Sequence, residues 1–194
     1  MPAIISGSRN EDRRGQTPAG RHERPDNESH ESNRVRGDVP GVPQFKRSYE
    51  EAVPQLPIEE MKALVRQGCA LVGDGRVDRR SCAERVLIYF RNDVHPVMSA
   101  AGDRADCIAY LMGNHILAER MFRHDLRAML YAPLHTVIWK DADGEAWFSL
   151  DQPSTQFSSF GIPAVTKVGF ELDRKLAQLL DILDVEVTPA LTHG

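Results

Sequence analysis

Two short runs of alternating apolar and polar residues, separated by a turn signal, constrain the fold of this chain more than any other feature. The runs lie at residues 134–140 (LHTVIWK) and 145–150 (EAWFSL), and Asp143-Gly144 lies between them. Asp-Gly between two alternating runs is typical of a β-hairpin, because glycine adopts the backbone conformation that a tight turn needs. The sequence therefore predicts antiparallel pairing in this part of the chain.

Further strands are predicted upstream of the hairpin. Residues 85–91 (RVLIYFR) and 106–112 (DCIAYLM) are runs rich in β-branched, aromatic and other apolar residues. A weaker signal predicts a short edge strand at 44–50. Between this segment and the strand at 85–91, Pro57-Ile58-Glu59-Glu60 favours the start of a helix, and Gly68 can end that helix in a left-handed cap.

A long apolar stripe at helical spacing, over residues 165–183, closes the pattern. Shorter helices are expected at 96–101 and 115–122. Strands segregated from a long terminal helix indicate an α+β fold, a two-layer sandwich in which a mostly antiparallel sheet carries the C-terminal helix on one face. Because strand 85–91 is apolar or aromatic on both faces, a second protomer is predicted to cover the other face in a homodimer.

The first part of the chain differs from the rest in composition. Residues 9–36 mix charged, small polar, glycine and proline residues and hold almost no large apolar side chain. Such a segment cannot bury enough apolar surface to offset its conformational entropy. We therefore predict a disordered tail over 1–44, one domain over 45–185 with an irregular connection at 69–84 and a turn at 73–75, and a short tail over 186–194.

Composition excludes several function classes. The formal net charge of −4 gives no electrostatic reason to expect a nucleic-acid partner. No apolar run approaches the roughly 20 residues that span a bilayer, and no signal peptide is recognisable, so a cytoplasmic location and no membrane are expected. Cys69, Cys82 and Cys107 are odd in number and form no CxxC pair, which argues against disulfides and structural zinc. No phosphate-binding loop or dinucleotide fingerprint is present, and no cofactor is expected.

The candidate ligand-binding residues are polar side chains near the ends of predicted strands and helices. They are Asp93, His95, Asn114, His124, Asp125, Tyr131, Asp151 and Ser154. Asp93 and His95 could form an acid/base pair, or Asp93 could instead cap the helix that follows. Asn114 follows a glycine at a strand end, where a turn or helix cap also needs a short polar side chain.

The remaining candidates also have structural interpretations. His115 and His124 are nine residues apart, so they do not share a helical face, which argues against a metal or haem site. Tyr131 could present its phenol to a ligand or pack its ring. Ser154 has no Gly-x-Ser-x-Gly elbow around it, so a turn or cap is expected there.

A set of segments carries a family resemblance. They are Tyr110-Leu111-Met112-Gly113-Asn114, then 115–122 (HILAERMF), Arg123-His124-Asp125 and 130–134 (LYAPL), together with 86–95 (VLIYFRNDVH), the hairpin around 139–147 and Asp151-Gln152-Pro153-Ser154. In order and spacing, over roughly 85–183, they resemble the uncharacterised bacterial family called domain of unknown function 302. The family pattern has proline after the asparagine, where this chain has His115, and Asp-His in succession, where Val94 intervenes.

The resemblance implies a compact sandwich of β-α-β4-α order, similar in shape to TATA-binding-protein-like folds and often paired as dimers. It implies no reaction, because the family has no settled activity. The predicted function is therefore a non-catalytic small-molecule-binding or sensing module that acts as a homodimer. The alternatives are an enzyme that uses Asp93, His95 or His124 in acid/base chemistry, a haem- or metal-binding variant of it, or an interaction protein whose N-terminal tail contacts a partner.

Overall fold

The computed structural model describes residues 34–35, 41–66, 85–103, 106–187 and 191–192. Most of the tail predicted over 1–44, the helix end at Gly68 and the connection at 69–84 with its turn at 73–75 lie outside the described residues.

The described residues form one five-stranded antiparallel sheet in the order β1-β5-β4-β3-β2. The strands are β1 (Arg34–Val35), β2 (Leu87–Asp93), β3 (Cys107–Gly113), β4 (Leu134–Lys140) and β5 (Ala146–Leu150). In the β4-β5 hairpin Gly144 has a φ of +92°, a conformation that glycine adopts without strain. The four predicted strands from β2 to β5 and the hairpin are thus confirmed.

The helices lie between and after these strands. They are α1 (Val42–Ala52), α2 (Ile58–Arg66), α3 (His95–Ala100), α4 (His115–Phe122), a 3₁₀ helix (Leu126–Leu130), α5 (Pro153–Ser158) and α6 (Pro163–Ile182). The terminal helix and the shorter helices before and after β3 are confirmed. The 3₁₀ helix and α5 had no prediction. The α+β fold with a sheet and a long C-terminal helix is confirmed.

The predicted edge strand at 44–50 is wrong, because this segment belongs to α1. Val42, Phe45 and Tyr49 are three and four residues apart, so a helix places all three on one face, and all three are buried. Pro43 lies in the first turn, where its missing N–H costs nothing. The burial of this face against the sheet outweighs the weak strand propensity of the segment.

The core lies between α1, α6 and the sheet face that carries Ile108, Tyr110 and Met112. At its centre the Tyr49 ring lies 4.9 Å from the Tyr110 ring and 5.5 Å from the Phe148 ring, measured between centroids. The Tyr49 hydroxyl contacts Thr136 Oγ1 at 3.1 Å and donates to Met112 Sδ at 2.9 Å. Burial raises the pKa of Tyr49, so this hydroxyl stays protonated.

A β-bulge in β2 changes which face each side chain takes. Ile88 pairs with Met112, but Phe90 pairs with Leu111, so the register shifts at Tyr89. Ile88 therefore lies in the core, whereas Phe90 points to the opposite face and is 55% exposed. This bulge explains how one strand can be apolar on both sides.

The face of the sheet opposite the core is termed the second face. On strands β2 to β5 it carries Leu87, Phe90, Asn92, Cys107, Ala109, Leu111, Gly113, His135, Val137, Trp139, Trp147 and Ser149. Leu87 and Gly113 are buried at one end of this face, and none of the other residues is fully buried. The Trp139 and Trp147 rings stack at 6.0 Å with an interplanar angle of 19°, and each indole N–H donates to a neighbouring oxygen.

Helices α5 and α6 cross at close range. A Cβ atom at Gly169 of α6 would lie 2.9 Å from the Ser154 Cα atom, so only glycine fits at the crossing. Beyond α6, Val185 and Leu191 are buried in the core. None of the helices in the described ranges is long and apolar enough to cross a membrane.

Candidate functional site

An apolar pocket of about 230 Å³ lies where β3 ends and β4 begins. Its walls come from β2, from the facing ends of β3 and β4, from α4, from the 3₁₀ helix and the segment after it, and from α6. The lining residues are Tyr89, Gly113, Asn114, His115, Leu117, Ala118, Met121, Met129, Ala132, Pro133, Leu134 and Leu172. Concave, mostly apolar pockets with few polar groups are where small molecules bind most often.

Asn114 shapes one end of this pocket by capping α4. Its Oδ1 accepts hydrogen bonds from the backbone N–H groups of Ile116 and Leu117, both at 3.0 Å. Its Nδ2 donates to the Arg85 carbonyl oxygen at 2.8 Å, which ties the helix start to the chain that enters β2. The cap predicted at Asn114 is confirmed, and it explains why a short amide follows Gly113.

His115 lines the same pocket and has an uncommon environment. Both ring nitrogens are shielded from solvent, and neither has a hydrogen-bond partner among the described residues. Burial lowers the pKa of the imidazole below its usual 6.5, which favours the neutral form. A neutral imidazole offers one donor and one acceptor, so this ring can take a polar group that enters the pocket.

Asp93 and His95 do not form the predicted acid/base pair. The Asp93 carboxylate lies 3.7 Å from Lys46 Nζ and 3.7 Å from Arg91 Nη2, whereas His95 Nδ1 lies 3.5 Å from Asp106 Oδ1. The interpretation of Asp93 as a helix cap is also wrong. Val94 occupies the cap position of α3 without a side-chain hydrogen bond, because the helix begins one residue earlier than predicted, at His95.

His95 also contacts Ser99, which gives the order Asp106, His95, Ser99. The Ser99 hydroxyl lies 3.2 Å from Nε2 and 3.5 Å from Nδ1 of the imidazole. Near-equal distances place the hydroxyl beside the ring edge rather than in line with one nitrogen, so the imidazole does not receive its proton efficiently. The side chains of His95 and Asp106 are 38% and 41% exposed, and neither residue lines the apolar pocket.

The candidates that follow α4 serve local structure. His124 is exposed in the turn after the helix. Asp125 caps the 3₁₀ helix by accepting the Arg127 backbone N–H at 2.8 Å, and its carboxylate pairs with the Arg127 guanidinium at 2.6 Å. These hydrogen bonds hold the pKa of Asp125 below its usual range. The Tyr131 ring lies edge-on to Phe157 and Phe160, which agrees with the packing interpretation.

Ser154 is buried at the start of α5, so it is no exposed nucleophile. Its backbone N–H donates to Asp173 Oδ1 of α6 at 3.0 Å, and Gln152 Nε2 donates to Asp173 Oδ2 at 3.1 Å. Asp173 is itself buried. Gln152 occupies the N-cap position of α5 but makes no capping hydrogen bond with its side chain, so Asp173 supplies the cap instead. Asp151 is exposed and lies just before this cluster.

Of the eight predicted candidates, only Asn114 lines the pocket. The sequence interpretation did not select the apolar lining residues Met121, Met129 and Leu172, because their convergence depends on tertiary packing. His115 is not among the eight candidates, although its position directly after the capping Asn114 is a local signal. Within the described ranges no cluster of three or more potential metal ligands is found.

Comparisons with known proteins concern the same part of the chain. Residues 89–183 match the family model described as Domain of unknown function DUF302. Among solved structures, the fold is similar to that of an uncharacterized conserved protein DUF302 from Bacillus stearothermophilus, with a TM-score of 0.53 and 14% identity, over 77% of this chain and 94% of that chain. At this identity the likeness shows the fold alone. Curated proteins give no significant match.

Proposed function

Residues 89–183 belong to the DUF302 family, and from that premise we propose that this protein is a non-catalytic module that binds a small molecule and acts as a homodimer. The observation that carries the proposal is the apolar pocket of about 230 Å³ beside His115. An apolar space of this size next to an imidazole with no described partner favours a ligand that fills the space and supplies a hydrogen bond.

The contacts of the other candidates support binding over catalysis. Asp93 pairs with cations, His95 pairs with Asp106, and His124 is exposed in a separate turn. Acid/base catalysis requires a general acid or base to lie within hydrogen-bond reach of the substrate proton that it transfers. None of these three residues lines the pocket, so the enzyme alternative would need a rearrangement of three elements, whereas binding uses the pocket as it stands.

We expect ligand binding to change the methyl signals of the pocket methionines in NMR spectra. The chain has six methionines, of which Met121 and Met129 line the pocket and Met98 lies on α3. A panel of small, mainly apolar molecules at millimolar concentration is titrated into protein labelled at the methionine methyl carbons. A binder should shift Met121 and Met129 and leave Met98 unchanged.

A blocking variant separates pocket binding from surface binding. Ala118→Phe places a ring in the pocket, and Ala100→Phe adds the same ring on the exposed side of α3. We expect the first variant to weaken binding at least about tenfold, which corresponds to about 1.4 kcal/mol, and the second to leave it unchanged. If no member of the panel shifts the pocket methyls, the small-molecule proposal fails.

The second face supports the homodimer. On β2 to β5 it presents Phe90, Leu111, Val137 and two stacked tryptophans, and its residues include no Lys, Arg, Asp or Glu. A face with these apolar residues at its centre can meet its own copy without placing like charges opposite each other there. A second copy of the chain is therefore the occupant that we propose for this face.

We expect Phe90→Glu to convert the protein from a dimer to a monomer. Phe90 is 55% exposed, and a carboxylate there would meet its own copy or another apolar surface without a partner. Val97→Glu is the matched control, since Val97 is 68% exposed on α3. Light scattering at micromolar concentration gives the mass of each variant. A wild-type mass of one chain would contradict the dimer.

A further inference from the structure

We propose that the pocket is specific for an uncharged monocyclic aromatic molecule with one hydroxyl group, and that His115 binds this hydroxyl. This inference rests on the proposed small-molecule function and names the chemical class of its ligand.

The volume sets the size of the ligand. An apolar cavity of about 150 Å³ is enough to hold benzene, and this pocket has about 230 Å³. One aromatic ring with one or two small substituents therefore fits. Met121 and Met129 suit such a ring, because the flexible, polarisable thioether makes favourable contacts with aromatic edges.

The two nitrogen-bearing side chains of the wall, those of Asn114 and His115, differ in their hydrogen bonds. The Asn114 side chain is engaged with three backbone groups, through both its oxygen and its nitrogen. His115 has no hydrogen-bond partner at either ring nitrogen among the described residues, and a buried polar atom without a partner is costly. Rotation about the broad Cβ–Cγ torsion can turn either nitrogen toward the pocket. One ligand hydroxyl, which can donate or accept, satisfies it.

The charge of the wall excludes an anion. No Lys, Arg, Asp or Glu is among the described residues that line the pocket. A carboxylate would need a protonated imidazole beside it, and burial favours the neutral form. A phenolic hydroxyl has a pKa near 10 and stays uncharged at neutral pH. It can therefore approach the neutral His115 imidazole without the energetic cost of removing a charge from water.

The test compares three probes on the full-length protein at pH 7.5, namely 4-methylphenol, toluene and 4-methylbenzoate. Dissociation constants come from titrations that follow the methyl signals of Met121 and Met129. We expect 4-methylphenol to bind about tenfold more tightly than toluene, the usual worth of one hydrogen bond, and 4-methylbenzoate to bind most weakly.

Substitutions assign the preference to His115. His115→Phe keeps a flat ring but removes both nitrogens, so the ratio between 4-methylphenol and toluene should fall to about one. His115→Gln restores a donor and an acceptor and should recover part of the preference. His124→Phe, at an exposed histidine outside the pocket, should leave the ratio unchanged.

The outcomes separate this inference from the proposed function. Equal binding of 4-methylphenol and toluene by the wild type, or a preference that survives His115→Phe, overturns the inference while the pocket remains a binding site. Tightest binding of 4-methylbenzoate also overturns it. If none of the probes shifts the pocket methyls, while other members of the small-molecule panel do, the ligand class is wrong. If no molecule of either set shifts them, the proposed function fails as well.

Discussion

Replacing Tyr49 with alanine is expected to lower the free energy of unfolding by about 4 kcal/mol. This value is typical when alanine replaces a large aromatic residue in a protein core. Tyr49 is 0% exposed and packs between the Tyr110 and Phe148 rings. The change opens a cavity at the centre of the core, and the buried Thr136 hydroxyl loses its Tyr49 partner.

Tyr49→Phe divides this effect into its parts. The ring remains, so the expected loss is only about 1 kcal/mol, from the hydrogen bonds of the hydroxyl. Tyr131→Ala serves as a control, because this ring is 36% exposed and should cost clearly less than Tyr49. Urea unfolding followed by circular dichroism, at one fixed protein concentration, measures all three variants. A loss below about 1 kcal/mol for Tyr49→Ala would mean that α1 does not pack on the sheet as described.

Asp173→Ala is the second substitution with a large expected effect, a loss of about 3 kcal/mol. Asp173 is 2% exposed and accepts hydrogen bonds from the Ser154 N–H and the Gln152 amide. Hydrogen bonds to a charged acceptor are stronger than neutral ones, and their loss leaves a buried N–H at the start of α5 without a partner. Helix α5 would then lose the cap that α6 supplies.

Two variants keep this prediction testable. Asp181→Ala removes an exposed carboxylate from the same helix and should change stability by less than about 0.5 kcal/mol. Asp173→Asn keeps an acceptor for the Ser154 N–H and should cost about half as much as alanine. The same urea titrations compare them. If Asp173→Ala and Asp181→Ala have equal stability, the capping role of Asp173 is refuted.

The elements that the sequence predicted are those whose signals are local. The hairpin is defined by Asp143-Gly144 and the alternation on both sides of it, and α6 by a stripe that spans its whole length. The helix over segment 44–50 is not predicted from the sequence because its helical face, with Phe45 and Tyr49, holds few apolar residues over a short length. Only the contact of these rings with the sheet decides the conformation, and that contact is not local.

The candidate site follows the same rule. Asn114 could be predicted because a cap involves neighbours two and three residues away. The burial of Ser154 could not, since its partner Asp173 is 19 residues away on another helix. The pocket joins residues from β2 to α6, and it includes an imidazole that has no hydrogen-bond partner among the described residues, a property that appears only after folding.

The stacked indoles have a consequence for how this protein can be followed in solution. Trp139 and Trp147 are the only two tryptophans in the chain, and both lie on the second face. Intrinsic fluorescence therefore reports on that face and not on the pocket. Self-association should shift the emission to the blue as the indoles leave water, whereas an occupant beside His115 should leave the spectrum almost unchanged. Tryptophan emission from a single unlabelled sample can thus distinguish self-association from ligand binding in the pocket.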